Sequence, residues 1–288
     1  MLLSAKPPTH RRRSVPSDLE ILFEDRDLVV VIKPAGLLTI ATDRERNRTA
    51  YALLFEHVRR QRDGRLFIVH RLDREASGLL VFAKSEDAKF ALQEQFKDHS
   101  AGRTYVAVTE GRLPRETFTI ESYLAENAAF RCYSTRDPAK GKRAVTHVTV
   151  LKRAPHRTLV EVRLETGRKH QIRVHLAEEG FPIVGDPAYG NGRNPIRRMA
   201  LHGAGLVFRH PRTGQTMTFA APLPAVFESL VQPGKSAREA AHIASPADLG
   251  PRSATGSPRR PDAGSGQGGD SRSATAGGAS DRRCAPRR

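Results

Sequence analysis

The spacing of apolar residues between positions 17 and 231 limits the fold of this chain more than any other feature. Short runs, several alternating at every second residue, are broken by turn residues every few positions. Such a pattern builds strands with one buried face, and helices only where the spacing changes to three and four. Residues 19–23 and 28–33 are apolar runs joined by Glu24-Asp25-Arg26-Asp27, the second ending at Pro34-Ala35-Gly36, and they predict a tightly connected pair of strands. A short strand is predicted over 67–70, a buried one over 78–83, and sheet strands over 104–109, 144–151 and 159–165. Helical spacing predicts helices over 49–60, after a capping Ser85 with Ala88, Ala91, Leu92 and Phe96 on one face, and over 170–179, ending at Gly180. The expected class is α+β, a strand-rich mixed domain. From residue 233 the chain turns to Gly, Ser, Ala, Pro and Arg with no aromatic residue, too little apolar surface to offset chain entropy. The expected organisation is a disordered basic arm over 1–16, a folded domain over 17–232 and a disordered tail over 233–288.

Charge narrows the partner. The chain carries a formal +17. Residues 1–15 contribute +4 and residues 233–288 contribute +5, so +8 remains on 16–232 and the folded part is itself basic. A polyanion is the expected partner, nucleic acid ahead of an acidic membrane face. The two cysteines, Cys132 and Cys284, are too few for a disulfide framework or a four-cysteine metal site. The apolar start Met1-Leu2-Leu3 is too short for a signal-peptide core, and no segment approaches eighteen apolar residues, so a soluble, cytoplasmic protein is expected.

Four segments have residues suited to chemistry. In His70-Arg71-Leu72-Asp73-Arg74-Glu75-Ala76-Ser77-Gly78 a carboxylate stands between two arginines just after a strand, which suits a nucleophile or base and equally an Asp that caps a turn. In Thr166-Gly167-Arg168-Lys169-His170-Gln171-Ile172-Arg173-Val174-His175 three cations and two histidines open a helix, as a phosphate or carboxylate site or as a solvated basic face. His170 and His175 are five residues apart, on different faces of a helix or strand, so a shared metal is not expected. Gly185-Asp186-Pro187-Ala188-Tyr189-Gly190 reads as a turn with a polar anchor, and Tyr105 as a core residue or a base-stacking aromatic.

Together, the strings from His70 to Gly78 and on to Lys84, and from Thr166 to Ala177 with Gly180 to Asp186, resemble the long motifs of RluA-type RNA pseudouridine synthases. Lys33-Pro34-Ala35-Gly36, Leu201-His202-Gly203-Ala204 and Phe219-Ala220-Ala221-Pro222-Leu223-Pro224 resemble that family's opening and closing segments, in the same order. The resemblance spans about residues 19–230 and implies an antiparallel-rich mixed sheet with a basic active-site cleft across its middle. It implies conversion of a uridine in ribosomal or transfer RNA to pseudouridine, by a monomer, with no cofactor and no metal. Asp73 would be the catalytic carboxylate, Arg173 its basic partner and Tyr105 the aromatic that stacks on the target base. Arg71 would fill the gap left by the flipped uridine, and Arg74, Arg168, Lys169 and His170 would contact RNA. Glycal and Michael-adduct routes both use this Asp and stay open. The chain departs from the pattern at Ala76, where many members have Thr. It also has only the basic arm before the first predicted strand, where many members have a small RNA-binding domain. Two rival readings are a non-catalytic RNA-binding factor and a phosphate-directed hydrolase using His170 and His175.

Overall fold

In the computed structural model, residues 13–14, 19–42, 45, 47–61 and 64–232 are described. The tail over 233–288 and all but Arg13–Ser14 of the basic arm lie outside the described residues. Arg13–Ser14 (β1) pairs with Glu20–Glu24 (β2), which forms a hairpin with Leu28–Lys33 (β3). Asp25 closes that hairpin: its carboxylate accepts from the N–H groups of Asp27 (2.7 Å) and Leu28 (2.9 Å). The remaining strands are Phe67–Ile68 (β4), Ser77–Ala83 (β5), Gly102–Glu110 (β6), Thr117–Glu126 (β7), Cys132–Thr135 (β8), Lys142–Arg153 (β9), Arg157–Leu164 (β10), Leu201–Arg209 (β11) and Thr216–Ala220 (β12). All belong to one sheet in the order β1-β2-β3-β5-β11-β6-β10-β9-β7-β8, with β4 on β5 and β12 on β11. Every pairing is antiparallel except β5 with β11.

Four helices cover the sheet: Ala50–Val58 (α1), Glu86–Lys97 (α2), Gln171–Glu178 (α3) and Ala225–Leu230 (α4). Successive residues of β3 and β5 serve opposite faces. Leu28, Val30, Leu79 and Val81 pack with Ala88 and Leu92 of α2, whereas Val29, Val31, Leu80 and Phe82 pack with Leu54 of α1, Ile172 of α3 and Phe227 of α4. Both faces are therefore buried at the centre of the sheet, which accounts for the unbroken apolar runs at 28–32 and 79–83. Ser85 caps α2 by accepting from the Ala88 N–H (3.2 Å), and Gly180 ends α3 at φ +86°.

The predicted strand over 67–70 stops at Ile68. His70 turns its ring back to accept from the Val81 N–H (3.1 Å) and stacks on Phe96 at 4.4 Å between centroids. At mid-sheet β5 meets β11 through Gly78 and Gly203. Gly78 has φ +124°, and a Cβ there would stand 2.3 Å from the Gly203 carbonyl oxygen, so this junction requires a glycine. The candidate site lies over it.

Candidate active site

The segment between β4 and β5 carries Arg71, Asp73 and Arg74, and the chain that follows β3 clamps it. Thr39 Oγ1 donates to the Leu72 carbonyl (2.8 Å) and accepts from the Leu72 N–H (3.2 Å), while the Gly36 N–H donates to the Arg74 carbonyl (2.8 Å). Lys33 is fully buried and donates to the carbonyls of Pro34 (2.8 Å), Leu37 (2.7 Å) and Arg74 (3.2 Å). Burial pulls the Lys33 ammonium down to about 7, against Asp73 and Glu75, which hold it up. Three acceptor carbonyls match the three protons of an ammonium.

Across the cleft, a buried Thr166–Gln171 pair shapes the entry to α3. Thr166 Oγ1 donates to Gln171 Oε1 (2.8 Å), and Gln171 Nε2 donates to the Val145 carbonyl (2.9 Å) on β9. His170 caps the helix in a left-handed conformation, φ +56°. One turn on, Arg173 has 3% of its side chain exposed and forks onto Asp186, with Nε to Oδ2 and Nη2 to Oδ1 both 2.8 Å. Nη1, its remaining arm, donates to Asp73 Oδ2 at 3.1 Å and lies 3.6 Å from Glu75. The two bonds to Asp186 fix the guanidinium plane, so the direction of the third is set before any ligand arrives. Burial alone would raise the Asp186 carboxyl, but the Arg173 bonds and charge, with the Ala188 and Tyr189 N–H groups, hold it below its ordinary range. Burial likewise opposes the Arg173 charge, and Asp186 and then Asp73 raise it above its ordinary value.

A second chain of contacts reaches Asp73 from the β8 side. The Tyr189 hydroxyl accepts from the Cys132 N–H (3.1 Å), which leaves its proton for His170 Nδ1 (3.0 Å), and His170 Nε2 lies 4.0 Å from Asp73 Oδ2. Burial lowers the His170 imidazole against the pull of Asp73.

Arg71, Asp73, Tyr105, Arg168, Lys169, His170 and Arg173 line one pocket of about 260 Å3. Arg74 faces an adjoining recess of about 530 Å3, where it is ion-paired with Glu45. Tyr105, on β6 opposite Gly203, is 9% exposed, and burial raises its hydroxyl. It is a core residue whose ring also reaches the pocket wall. Ala76 lines the pocket as well. Of the basic run at 166–175, Arg168 and Lys169 stand at the pocket edge while Arg173 points inward.

Four residues of the site had no role in the sequence reading. Asp186 and Tyr189 stood in a segment that reads as a turn, and Lys33 appeared only within a motif. Arg103, two residues before Tyr105, also lines the pocket, with its Nε and Nη2 buried and without a hydrogen-bond partner. Its guanidinium occupies the space a side chain at Gly167 would take, since a Cβ there would lie 2.3 Å from Nη1. The sequence signal for it was the pairing of a cation and an aromatic on one face of a strand.

His175 is not part of the pocket: it bonds Thr146 Oγ1 and Ser122 Oγ, both at 2.9 Å, behind α3. His202 Nδ1 bonds Ser77 Oγ at 2.7 Å. Burial lowers both imidazoles to about 4. The unfolded chain takes these protons near pH 6.5 and the folded chain only near 4, so their share of stability is complete above 6.5 and is lost as pH falls through 4. Each withdraws up to about 3 kcal/mol. Burial lowers the His70 imidazole as well, to about 3, so urea midpoints are expected to fall steeply between pH 6.5 and 4, with a shallower slope in His175→Gln; a flat profile would contradict the burial of these rings.

Residues 27–178 match the RNA pseudouridylate synthase family. The chain is 40% identical over 227 residues to an uncharacterized RNA pseudouridine synthase of Bacillus subtilis, a match covering 75% of this chain and 73% of that protein. It is 37% identical over 234 residues to ribosomal large subunit pseudouridine synthase D of Zymomonas mobilis, covering 76% and 73%. The structure of human RNA pseudouridylate synthase domain containing 1 superposes with a TM-score of 0.62 over 82% of this chain and 99% of that one, at 23% identity, which shows the shared fold. The chain belongs to the RNA pseudouridylate synthase family, enzymes that isomerise uridine in RNA to pseudouridine. No helix among the described residues is long and apolar enough to cross a membrane.

Proposed function

We propose that this enzyme modifies a uridine of large-subunit ribosomal RNA, in the cytoplasm and as a monomer, with Asp73 as the catalytic carboxylate. The ribosomal substrate follows the names of relatives such as the Zymomonas mobilis protein. The observation that carries the assignment of Asp73 is its bond to the one arm of Arg173 that Asp186 leaves available, inside a basic pocket. The reaction breaks C1′–N1, forms C1′–C5 and moves a proton from C5 to N1. No electrons are gained or lost, so neither a redox cofactor nor ATP is required. Asp73 acts as nucleophile or as the base that removes a ribose proton, and Arg173 holds it oriented. Tyr105 stacks on the detached base and Arg71 occupies the gap left by the flipped nucleotide. Arg103 lends its charge to the pocket wall, and Arg74, Arg168, Lys169 and His170 meet backbone phosphates and ribose.

The substrate is tested by tritium release from C5 of labelled RNA. Large-subunit ribosomal RNA from cells lacking the gene is expected to release tritium in the presence of EDTA and without added nucleotide. Release from transfer RNA alone would overturn the ribosomal assignment, and loss of activity with EDTA would favour the metal-dependent rival.

A further inference from the structure

We infer that the tip of the β7–β8 hairpin is a stacking subsite for an unpaired nucleotide flanking the target uridine, with Phe130 as its platform. The inference rests on the assignment of the Asp73 pocket as the place where that uridine sits. Phe130 is 76% exposed, more than the other large apolar side chains among the described residues that face solvent. Its position is built rather than loose. Asn127 Oδ1 accepts from the N–H groups of Ala129 (3.0 Å) and Arg131 (2.9 Å), the Phe130 N–H bonds the Asn127 carbonyl (2.9 Å), and the Asn127 N–H bonds the Arg131 carbonyl (3.0 Å). The turn holds Phe130 at φ +59°, a conformation that bulky side chains rarely adopt. A tight turn that puts an aromatic ring into water loses apolar burial, which something outside the described chain would restore.

The surroundings identify what that is. Lys169 Nζ is ion-paired with Glu126, donates to the Phe130 carbonyl (3.3 Å) and lies 5.9 Å from the centre of the Phe130 ring. Lys169 and Arg168 line the Asp73 pocket and also a second groove of about 560 Å3, to which Lys140 and Lys142 contribute. Four cations face the single carboxylate of Glu126 in that groove. Arg131, next to Phe130, lies 5.1 Å over the Tyr189 ring, and Tyr189 bonds His170. An exposed ring flanked by cations, continuous with the pocket, fits a polyanion with exposed base faces: single-stranded RNA rather than duplex or protein.

The chain has no tryptophan, so Phe130→Trp places a sole tryptophan at the tip, excited apart from the five tyrosines at the red edge of the absorption band. Titration with poly(U) is expected to quench its emission, and polyphosphate, an equally charged chain without bases, is not. Phe130→Ala should weaken poly(U) binding about tenfold, the effect of one lost base–aromatic stack, with Phe130→Tyr restoring it and Phe130→Leu failing to. Bound poly(U) with unchanged emission, no poly(U) binding, or equal quenching by polyphosphate would each overturn the inference. Placing Asp73→Asn in the Phe130→Trp background separates the two readings. The quench persists if the subsite is real, whether or not turnover depends on Asp73.

Discussion

Asp73→Asn is expected to slow pseudouridine formation by roughly ten-thousandfold or more, the scale on which enzymes lose rate when a group that bonds to or takes a proton from the substrate is removed. Asn keeps the size of Asp and an oxygen that can accept from Arg173 Nη1, so the 3.1 Å contact and the clamp of Lys33, Gly36 and Thr39 on the surrounding segment have no reason to open. What is lost is the negative charge. A neutral amide can neither attack carbon nor take a ribose proton at neutral pH. RNA affinity should hold or increase, because an anion has been removed from a basic pocket. Single-turnover tritium release from C5 and an independent binding titration measure the two effects separately. A residual rate within tenfold of wild type would remove Asp73 from the chemistry.

The second large effect is expected one layer further back. Asp186→Ala leaves the buried Arg173 with Asp73 and Glu75 as its carboxylate partners, both approached through Nη1. Breaking a buried pair on one side costs about 3–5 kcal/mol, because the remaining charge loses its partner but stays out of water. For a domain of this size that lowers Tm by about 10 °C. Freed from its fork, the guanidinium can rotate towards Asp73 and Glu75, and a displacement on the order of 1 Å at Asp73 costs about a hundredfold in rate. Asp186→Asn, which retains an acceptor for the Ala188 and Tyr189 N–H groups, should fall between wild type and alanine in both respects. Thermal melts and single-turnover rates on the same preparations check this, and an unchanged Tm in the alanine variant would contradict the buried fork.

Much of the centre of the fold was legible because its residues obey one period. The strands at 28–33 and 78–83 and the Ser85-capped helix stand within a residue of their expected places. What escaped had weaker local signals. β7 does alternate through Phe118, Ile120 and Leu124, yet most of it is exposed or half-buried, so polar residues dilute the pattern. β11 is interrupted by Gly203 and Gly205, which break its apolar alternation, and only the fold shows Gly203 lying directly against Gly78 of β5. The site divides in the same way. Asp73, Tyr105 and Arg173 were named from motifs, whereas Asp186 was not, because thirteen residues and a helix end separate it from Arg173 and only the fold brings them together. Arg103 was passed over for a different reason: even paired with Tyr105 on one face of its strand, an arginine looks solvated until Gly167 is seen to make room for it.

The most direct measurement maps pseudouridine across large-subunit ribosomal RNA from cells lacking the gene, supplied with either the wild-type chain or Asp73→Asn at matched levels. At least one position should be modified with the wild-type chain and remain uridine with the variant, even though the variant still binds RNA. If every position is modified equally with Asp73→Asn, the pocket described here is not where the isomerisation occurs.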